Sequence, residues 1–473
     1  MSTQTHDTQV QPRVQEEDLN DAAWNEVVAT KLPADLEEQA RAHKAWSRKR
    51  GVSSVSNLLR ALLVYACCQY SFRELGMWAV LKGIGSLSER AWRKRLEQSQ
   101  LWIAWLLSEL LGVHQRPTWL PAGVGRVRLV DATRWKTPAG TGDDVRLHQS
   151  YDLATGKMDQ VQLTDRHHAE SLSHFSLAEG DLMVTDAGYP VPSSVEVTLQ
   201  NKSQLLQRTT ASHLHIENEQ GQTIILKERV RGQRADSLKQ IKGRVRLPKS
   251  GEWAQVRLLC YRLPEEQAKK ARDRKAAKLR KKHGRKYNHE LVWWASWVLL
   301  VTTTDEAVWS GQDLIYLYRA RWQIELLFKR IKQCLRLHSL VIKDWQRVSC
   351  LLHLNLIVWW LQEQEAESLR DLLTQVLLPT QGHMTELCEP EQEDEDESEA
   401  LQWVMSSWTL AHFCCEEVRT MLRGTWTRRR KQECEPALRR YVLSRRRKRG
   451  HRETEQRAWL EAKYRQIGAQ SVA

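Results

Sequence analysis

The spacing of hydrophobic and polar residues divides the chain into a helical beginning, a strand-rich middle and a helical end. Residues 54–111 carry apolar side chains at helical intervals. After Gly125 the pattern changes to short runs of strand-like composition, separated by polar or glycine-containing turns. The predicted strands are residues 126–135, 148–153, 157–166 and 181–189, with a short helical segment near 170–177 before the last of them.

The next part of the chain predicts further strands and then helices. Residues 204–262 have strand character and indicate an all-β insertion, which the basic run 269–286 follows. A strand at 292–304 leads into a long helix at about 310–337, and an apolar helix follows at 348–362. Strands followed by helices in this way are typical of an α/β fold, in which helices cover a sheet.

Residues 71–99 predict two helices separated by a Gly-x-Gly break. The first helix spans 72–81, and Ser86 and Ser88 are candidate N-caps of the second. The second helix carries four basic residues, Arg90, Arg93, Lys94 and Arg95. The pattern is compatible with a helix-turn-helix that lays a basic helix on DNA, and also with a helical hairpin whose basic face is solvated. Of these, the sequence favours general contact with DNA over the reading of bases.

Charge adds information about the partners of the chain. The sequence has 72 Lys and Arg against 58 Asp and Glu, a net charge of +14. Eight of the acids lie in residues 389–399, which contain no base, so the rest of the chain has 72 bases against 50 acids. A basic surface of this size favours a polyanionic partner, because each neutralised phosphate releases counterions. Charge alone does not distinguish a nucleic-acid-binding protein from other basic proteins.

Composition also excludes several classes of protein. The first thirty residues are polar and acidic and no apolar run has the length of a membrane span, so a cytoplasmic, nucleoid-associated location is expected. The nine cysteines include no CxxC pair, which predicts reduced thiols rather than disulfides or a zinc ribbon. His167 and His168 have no Cys or His at metal-ligand spacing and are predicted to be structural or close to DNA.

The strongest chemical signal lies in the long predicted helix. Tyr318, Arg321, Glu325 and Lys332 fall within an arc of roughly 60° if each residue turns by about 100°. The apolar residues of the same segment occupy a neighbouring arc, so one face of the helix packs on a sheet and a charged stripe follows its border. Amphipathic charged helices are common, and this helix alone would not indicate catalysis.

Two aspartates in predicted strands change that balance. Asp131 interrupts an apolar strand and Asp186 ends another, and a buried carboxylate without a partner is costly. A divalent metal ion would remove this cost, and carboxylate oxygens select Mg²⁺ or Mn²⁺. Two such ions can activate water and stabilise the leaving oxygen of a phosphodiester. The alternative is that each Asp simply caps a strand-to-loop turn, which is common for a single Asp.

Three motifs together resemble a known family. The segments LVDATRW, VTDAGY and Y-x2-R-x3-E-x6-K, in this order, closely resemble the DDE transposases of bacterial insertion-sequence family four. The segments RLHQSYDLATG (146–156) and LTDRHHAES (163–171) resemble the same family, as does the β insertion before the glutamate. The resemblance extends over roughly residues 120–345. One departure is Ala187, because the family commonly has an arginine after the second aspartate.

The resemblance implies roles for individual residues. Asp131, Asp186 and Glu325 would be the catalytic triad and would bind two Mg²⁺ or Mn²⁺ ions. Three more residues, Tyr318, Arg321 and Lys332, would contact phosphates at the transposon end. Trp297 matches a family tryptophan on which a flipped base stacks. A core aromatic residue is an equally good interpretation of Trp297, because the chain has 21 tryptophans.

The predicted fold is α/β, with an RNase H-like core interrupted by an all-β insertion and with helical N- and C-terminal regions. The predicted regions are 1–120 (helical, DNA-binding), 121–203 (first part of the core, with both aspartates), 204–290 (β-strand insertion with the basic run), 291–365 (second part of the core, with the glutamate helix) and 366–473 (acidic linker and basic helical C-terminal region).

The predicted function is metal-dependent cleavage at insertion-sequence ends and strand transfer into target DNA, that is, cut-and-paste transposition. The predicted partners are the inverted-repeat ends, the target DNA and a second copy of the chain in a paired-end complex; no membrane is expected. Helix 348–362 or the C-terminal helices are candidates for the dimer interface. Two alternatives stay open: a metal-dependent nuclease without strand transfer, and a non-catalytic DNA-binding regulator derived from a transposase.

Overall fold

The protein is described here by a computed structural model, which divides into two compact units. It describes residues 16–47, 51–112, 125–136, 143–212, 214–283, 287–334, 344–377, 403–405, 407–424, 443–445 and 452–472. The first unit comprises Met1–Leu110 and Arg330–Arg446, and the second comprises Leu111–Lys329 and Arg447–Ala473. The acidic run 389–399 lies outside the described residues. None of the helices in the described ranges is long and apolar enough to cross a membrane.

The first unit is mainly helical. The elements of its N-terminal part are α1 (Glu16–Thr30), α2 (Leu36–Ala42), α3 (Val55–Cys68), α4 (Phe72–Leu81), α5 (Glu89–Gln98) and α6 (Gln100–Gly112). The second unit is an α/β structure around one sheet. Its strands are β1 (Val127–Lys136), β2 (Asp143–Asp152), β3 (Lys157–Asp165), β4 (Leu182–Thr185), β5 (Gln204–Thr209), β6 (Ser237–Arg246), β7 (Trp253–Arg262) and β8 (Trp297–Thr302).

The remaining helices follow or interrupt these strands. They are α7 (Val191–Gln200), α8 (Leu226–Val230), α9 (Glu265–His283), α10 (His289–Trp294), α11 (Gly311–Arg319), α12 (Trp322–Cys334), α13 (Trp345–Leu377), α14 (Ser407–Arg423) and α15 (Arg452–Val472). A short 3₁₀ helix spans Leu172–His174, and a two-stranded sheet pairs β9 (Trp403–Met405) with β10 (Leu443–Arg445).

In the first unit, α13 packs against α3 and α14. Most of its apolar stretch is buried there, so the face that was a candidate dimer interface is covered within the unit. Arg60 on α3 is also buried and donates from Nε to the carbonyl of Leu422, 2.9 Å away. The sequence prediction of two helices in residues 71–99 is confirmed: Ser71 and Glu74 form a capping box at the start of α4, and Ser88 caps α5.

The sheet of the second unit has the strand order β3-β2-β1-β4-β5-β8-β7-β6. The first three strands form an antiparallel meander, whereas β4 and β5 run parallel to β1. The strands β8, β7 and β6 then continue the sheet with antiparallel pairing. A mixed sheet of this kind with helices around it is consistent with an RNase H-like core.

The expected all-β insertion is not shown. Strands β6 and β7 pair with β8 and so extend the same sheet, and the helices α8 and α9 lie in the same stretch of chain. Residues 223–230, which have strand composition, include the helix α8 instead. Local composition cannot distinguish a separate insertion from added strands, because that depends on which distant strand each one pairs with. The basic run 269–286 lies largely on α9.

The last helix, α15, belongs to the second unit. The Tyr464 hydroxyl, on a side chain that is almost fully buried, donates to the carbonyl of Gly125, 3.0 Å away, at the start of β1. Lys463 Nζ donates to Asp313 Oδ2 at 2.7 Å, and Asp313 forms the capping box of α11 with Ser310. Residues that are distant in sequence therefore support both the first strand and the helices that follow β8.

A buried ionic network joins β1 to the residue that precedes β4. Asp181 accepts hydrogen bonds from the Arg126 backbone and guanidinium, the latter at 2.9 Å, and from Arg128 at 3.3 Å. Arg128 also pairs with Asp159 at 2.8 Å, and it is fully buried. Because β1 and β4 are neighbours, this network fixes the relative position of two central strands.

We expect Asp181→Ala to destabilise the second unit by about 3–5 kcal/mol, because it leaves buried guanidinium groups without part of their counter-charge. Urea unfolding followed by circular dichroism measures the change. The control is Asp273→Ala, which removes an exposed carboxylate from α9 and should change the free energy of unfolding by less than about 0.5 kcal/mol. An equal effect of the two substitutions would contradict a structural role for the network.

Candidate active site

Two of the predicted acids lie side by side at the ends of parallel strands. Asp131 is on β1, and Asp186 is the first residue after β4. Leu129 pairs with Val184 in the parallel register of β1 and β4, so two further residues along each strand bring Asp131 next to Asp186. Side chains two residues apart point to the same face of a sheet, and both carboxylates therefore lie on one side. Each acid follows an apolar run that is buried in its strand, and the pairing of β1 with β4 makes the two acids neighbours.

The third acid, Glu325, is linked to Asp131 by an arginine side chain. Arg321 donates from Nη1 to Asp131 Oδ2 at 3.3 Å, and its Nη2 donates to Glu325 Oε1 on α12. The side chains of Arg321 and Asp131 are each 16% exposed, whereas that of Glu325 is 49% exposed. A single guanidinium thus joins the carboxylate of β1 to the carboxylate of the helix.

The electrostatics of the site are dominated by crowded negative charge. Burial raises the pKa of Asp131 to about 7, and the charge of Asp186 acts in the same direction. The Ala132 backbone N–H, which donates to Asp131 at 2.8 Å, and the Arg321 guanidinium partly oppose this rise in pKa. A positive charge beside Asp131 therefore favours its ionised form at neutral pH.

The described side chains are not arranged as a complete set of metal ligands. Among the described residues, no three His, Cys, Asp or Glu side chains converge closely enough to hold one. Arg321 occupies hydrogen-bonding positions on two of the three carboxylates. The donor set itself consists of carboxylate oxygens, which is the chemistry that Mg²⁺ and Mn²⁺ prefer.

The long helix predicted for about 310–337 is two helices. Helix α11 ends at Arg319 and α12 begins at Trp322. At the junction, the N–H groups of Arg321 and Ile324 donate to carbonyls three residues back, as in a 3₁₀ turn, rather than four. Tyr318 is consequently on α11 and Glu325 on α12, so the four-residue pattern does not lie along one regular helix. The junction places Arg321 where it can reach Asp131.

The other predicted contacts are placed differently. Tyr318 is largely buried. Burial raises the pKa of its hydroxyl, and the nearby charges of Arg321 and Arg208 oppose that rise only in part. Lys332 lies on α12, about two turns after Glu325. Trp297 is only 5% exposed and belongs to the hydrophobic core of the second unit. Its ring packs 5.4 Å from that of Trp293 and 6.2 Å from that of Trp294.

A cavity of about 1270 Å³ adjoins the carboxylates. Its lining includes Asp186, Tyr318 and Arg321 from the site, and also the small exposed part of Trp297. Four basic residues of α9 line the same cavity, Lys270, Arg274, Lys275 and Lys278. Lys270, Arg274 and Lys278 recur at intervals of four residues, and Lys275 lies three residues before Lys278, so all four border one side of the helix. We call this set the α9 basic face.

Two further residues near the carboxylates were not identified from the sequence. Glu170 follows β3 and precedes the 3₁₀ helix, and both burial and the charge of Asp186 raise its pKa. The hydroxyl of Tyr189, whose side chain is 2% exposed, has no hydrogen-bond partner among the described residues. Glu170 lies in a segment without regular periodicity, and no local pattern could have identified it; Tyr189 lies within VTDAGY, where its aromatic character indicates only core.

The two histidines that follow β3 have no such relation to the carboxylates. His168 Nδ1 lies 2.8 Å from Asp165 Oδ1, and Arg146 Nη1 donates to the His168 carbonyl at 2.6 Å. The His167 backbone N–H also donates to Asp165. These contacts form a turn at the end of β3 and agree with a structural role.

Comparison with known proteins finds relatives of the part of the chain that carries these acids. A family model described as the transposase DDE domain matches residues 122–361. The chain is 30% identical over 344 residues to the putative transposase InsL for insertion sequence element IS186A of Escherichia coli (strain K12). The aligned residues cover 72% of this chain and 92% of that relative. It is also 30% identical over 345 residues to the transposase for insertion sequence element IS421 of Escherichia coli, with the same coverage.

Proposed function

Because the chain belongs to the family of transposases with a DDE domain, we propose that it cleaves DNA at the ends of its insertion sequence and joins those ends to target DNA. The observation that carries this proposal is that Asp131 lies beside Asp186 on neighbouring strands and is linked to Glu325 by the Arg321 guanidinium. We further propose that the insertion sequence belongs to family four, from the Tyr318, Arg321, Glu325 and Lys332 pattern.

DDE transposase domains generally depend on divalent metal ions, and the residues present suit such ions. The acids are close enough for the charge of Asp186 to raise the pKa of the buried Asp131, and a cation would relieve that repulsion. We propose that Asp131, Asp186 and Glu325 hold two Mg²⁺ or Mn²⁺ ions. When bound, such ions activate water and stabilise the leaving oxygen of a phosphodiester.

The protein's own side chains would bind and orient the DNA. Arg321 neutralises Asp131 and Glu325 in this structure, and its planar guanidinium also matches the geometry of a phosphate. Tyr318 lines the cavity beside it, and Lys332 is a further cation on the same helix as Glu325. We assign all three to phosphates at the transposon end. Trp297 offers little surface for a stacked base, because its side chain is 5% exposed and its ring lies beside those of Trp293 and Trp294.

Joining of the two ends requires that both be held in one complex, so we propose a homodimer. Each copy would supply one carboxylate site and one α9 basic face. The number of chains in a complex with end DNA can be measured by light scattering. A single chain per end under conditions that support joining would contradict the dimer.

A strand-transfer assay tests the proposed reaction. Purified protein is mixed with Mg²⁺, a supercoiled target plasmid and short DNA that already ends in the exposed 3′-OH of the inverted repeat. We expect the short DNA to become covalently joined to the target, because the 3′-OH is then the nucleophile and no prior cleavage is needed. The control is the same DNA with a 3′-deoxy end, which cannot be joined. A nuclease would cut DNA carrying uncleaved ends without producing joined products, and a regulatory protein would bind the ends and do neither.

A further inference from the structure

A fourth acidic side chain lies at the carboxylate site. Gly188 follows Asp186 by two residues, and its backbone N–H donates to Asp186 Oδ1 at 2.8 Å. A Cβ added at Gly188 would lie 2.1 Å from Glu170 Oε2 and 3.0 Å from Asp186 Oδ1. The backbone at Gly188 is thus in close contact with both carboxylates. Glycine at this position leaves the space that the Glu170 carboxylate occupies.

The charges around Glu170 do not explain its position as an ordinary ion pair. Its Oε2 and Asp186 Oδ1 lie 2.1 Å and 3.0 Å from the same added Cβ at Gly188, so the two carboxylates are close neighbours. A half-buried acid that is placed against another acid stores electrostatic repulsion. Such repulsion is relieved when a cation binds near both groups.

The core supplies an independent observation. The Tyr189 side chain is only 2% exposed, and its hydroxyl has no hydrogen-bond partner among the described residues. The charges of Asp131, Glu170 and Asp186 all raise the pKa of this hydroxyl, so it lies within electrostatic range of all three. A buried hydroxyl without a partner costs about 1–3 kcal/mol, which a ligand or water at the carboxylates would recover.

We propose that Glu170 is a positioning residue of the carboxylate site, which acts through Asp186 to raise the affinity of the site for a divalent cation. Gly188 leaves room for the Glu170 carboxylate, and the buried Tyr189 hydroxyl lies within electrostatic range of the same acids. This inference rests on the proposed function, because it assumes that Asp131 and Asp186 hold a cation. It adds a fourth acid, which no pattern in the sequence singles out.

The affinity can be measured at the site itself, without any DNA reaction. Fe²⁺ bound in place of Mg²⁺ cleaves the backbone next to it when ascorbate and peroxide are added. Fragments that end near residues 131 and 186 therefore report on this site and are unaffected by ions bound elsewhere on the full chain, such as at the acidic run. The fragment yield is measured against Fe²⁺ concentration.

We expect Glu170→Gln to require about 10-fold more Fe²⁺, the size of effect that follows loss of an outer ligand-orienting group. Glu170→Asp keeps the charge and should retain most of the affinity. The matched control is Glu179→Gln, which removes an exposed carboxylate that lies 3.6 Å from Lys202 in the same unit. Equal Fe²⁺ affinity of the Glu170→Gln and Glu179→Gln variants would overturn the inference.

Gly188→Ala tests the contact directly. In the wild-type background the added methyl displaces the Glu170 carboxylate, so the Fe²⁺ affinity should fall as it does in Glu170→Gln. The backbone at Gly188 does not have a positive φ, and the atom displaced is the end of a flexible side chain, so the protein should still fold. In a Glu170→Ala background only the 3.0 Å approach of the methyl to Asp186 Oδ1 remains, so the glycine substitution should cause a clearly smaller loss. Equal losses in both backgrounds would contradict the contact.

Tyr189→Phe separates a ligand-facing hydroxyl from a merely buried one. If the hydroxyl serves the site, the variant binds Fe²⁺ more weakly. Unchanged affinity together with a more stable protein would overturn the part assigned to Tyr189. Failure of the proposed function looks different: wild type would then give no fragments near residues 131 and 186, or Asp131→Asn would leave them unchanged.

Discussion

Glu325→Gln is expected to reduce cleavage at the inverted-repeat ends by at least about 1000-fold, because it removes one of the three charges of the proposed triad. The side chain is 49% exposed on α12, and glutamine has nearly the same shape, so the fold should be unaffected. The substitution breaks the Glu325 pairing with Arg321 but leaves the Arg321 contact with Asp131. We expect Asp131→Asn and Asp186→Asn to cause losses of similar size.

The measurement is nicking of DNA that carries the flanking inverted repeats, with Mg²⁺, under single-turnover conditions. Binding of the same DNA is measured in parallel, so that a loss of cleavage with unchanged binding identifies a chemical defect. Glu219→Gln, which removes an exposed carboxylate from a turn of the second unit, is the control and should cleave at the wild-type rate. Retained cleavage by any of the three site variants would exclude that residue from the triad.

The two aspartates could be found from the sequence because strands have a simple local signature. Asp131 and Asp186 each break an apolar run, and an apolar run that is long enough for a strand predicts where its side chains are buried. What the sequence does not contain is the register, which pairs β1 with β4 across more than fifty residues of chain. The adjacency of the two carboxylates is a property of that pairing.

The glutamate was found for a different reason, and its prediction was only partly correct in detail. Charged and apolar residues alternate with helical spacing around Glu325, and helical spacing is local. The break between Arg319 and Trp322 was missed, because neither proline nor glycine marks it. The turn adopts 3₁₀ hydrogen bonds in a context where Arg321 contacts Asp131 on a distant strand. Tertiary contacts of this kind override local helix propensity.

The regions that the sequence described least well are those where pairing partners decide the structure. Residues 223–230 have several β-branched and apolar side chains, yet the chain forms α8 there and not a strand. Strands β6 and β7 were recognised as strands, but not as an extension of the main sheet. Glu170 lies in the family-like segment LTDRHHAES, but nothing in that segment indicates a contact with Gly188, which lies in another part of the chain.

The second large effect is expected from the α9 basic face. We expect the double variant Arg274→Gln/Lys278→Gln to bind insertion-sequence end DNA about 50-fold more weakly at about 0.1 M salt, because two phosphate contacts are lost. Each contact that releases a counterion contributes about 0.9 to the slope of log affinity against log salt, so the slope should become shallower by about 1.8. The loss should be similar for unrelated DNA of the same length, since phosphates carry no sequence information.

The same helix supplies a control with the same change of charge. Lys269 and Arg280 are exposed residues of α9 that do not line the cavity. Lys269→Gln/Arg280→Gln lowers the net charge by the same amount but leaves the α9 basic face intact. If the DNA follows the cavity toward Asp186, only Arg274→Gln/Lys278→Gln should make the salt slope shallower by about 1.8. Cleavage at the ends should also fall in that double variant. Equal slopes for the two double variants would show that α9 acts through net charge alone, and that the DNA path to the carboxylates lies elsewhere.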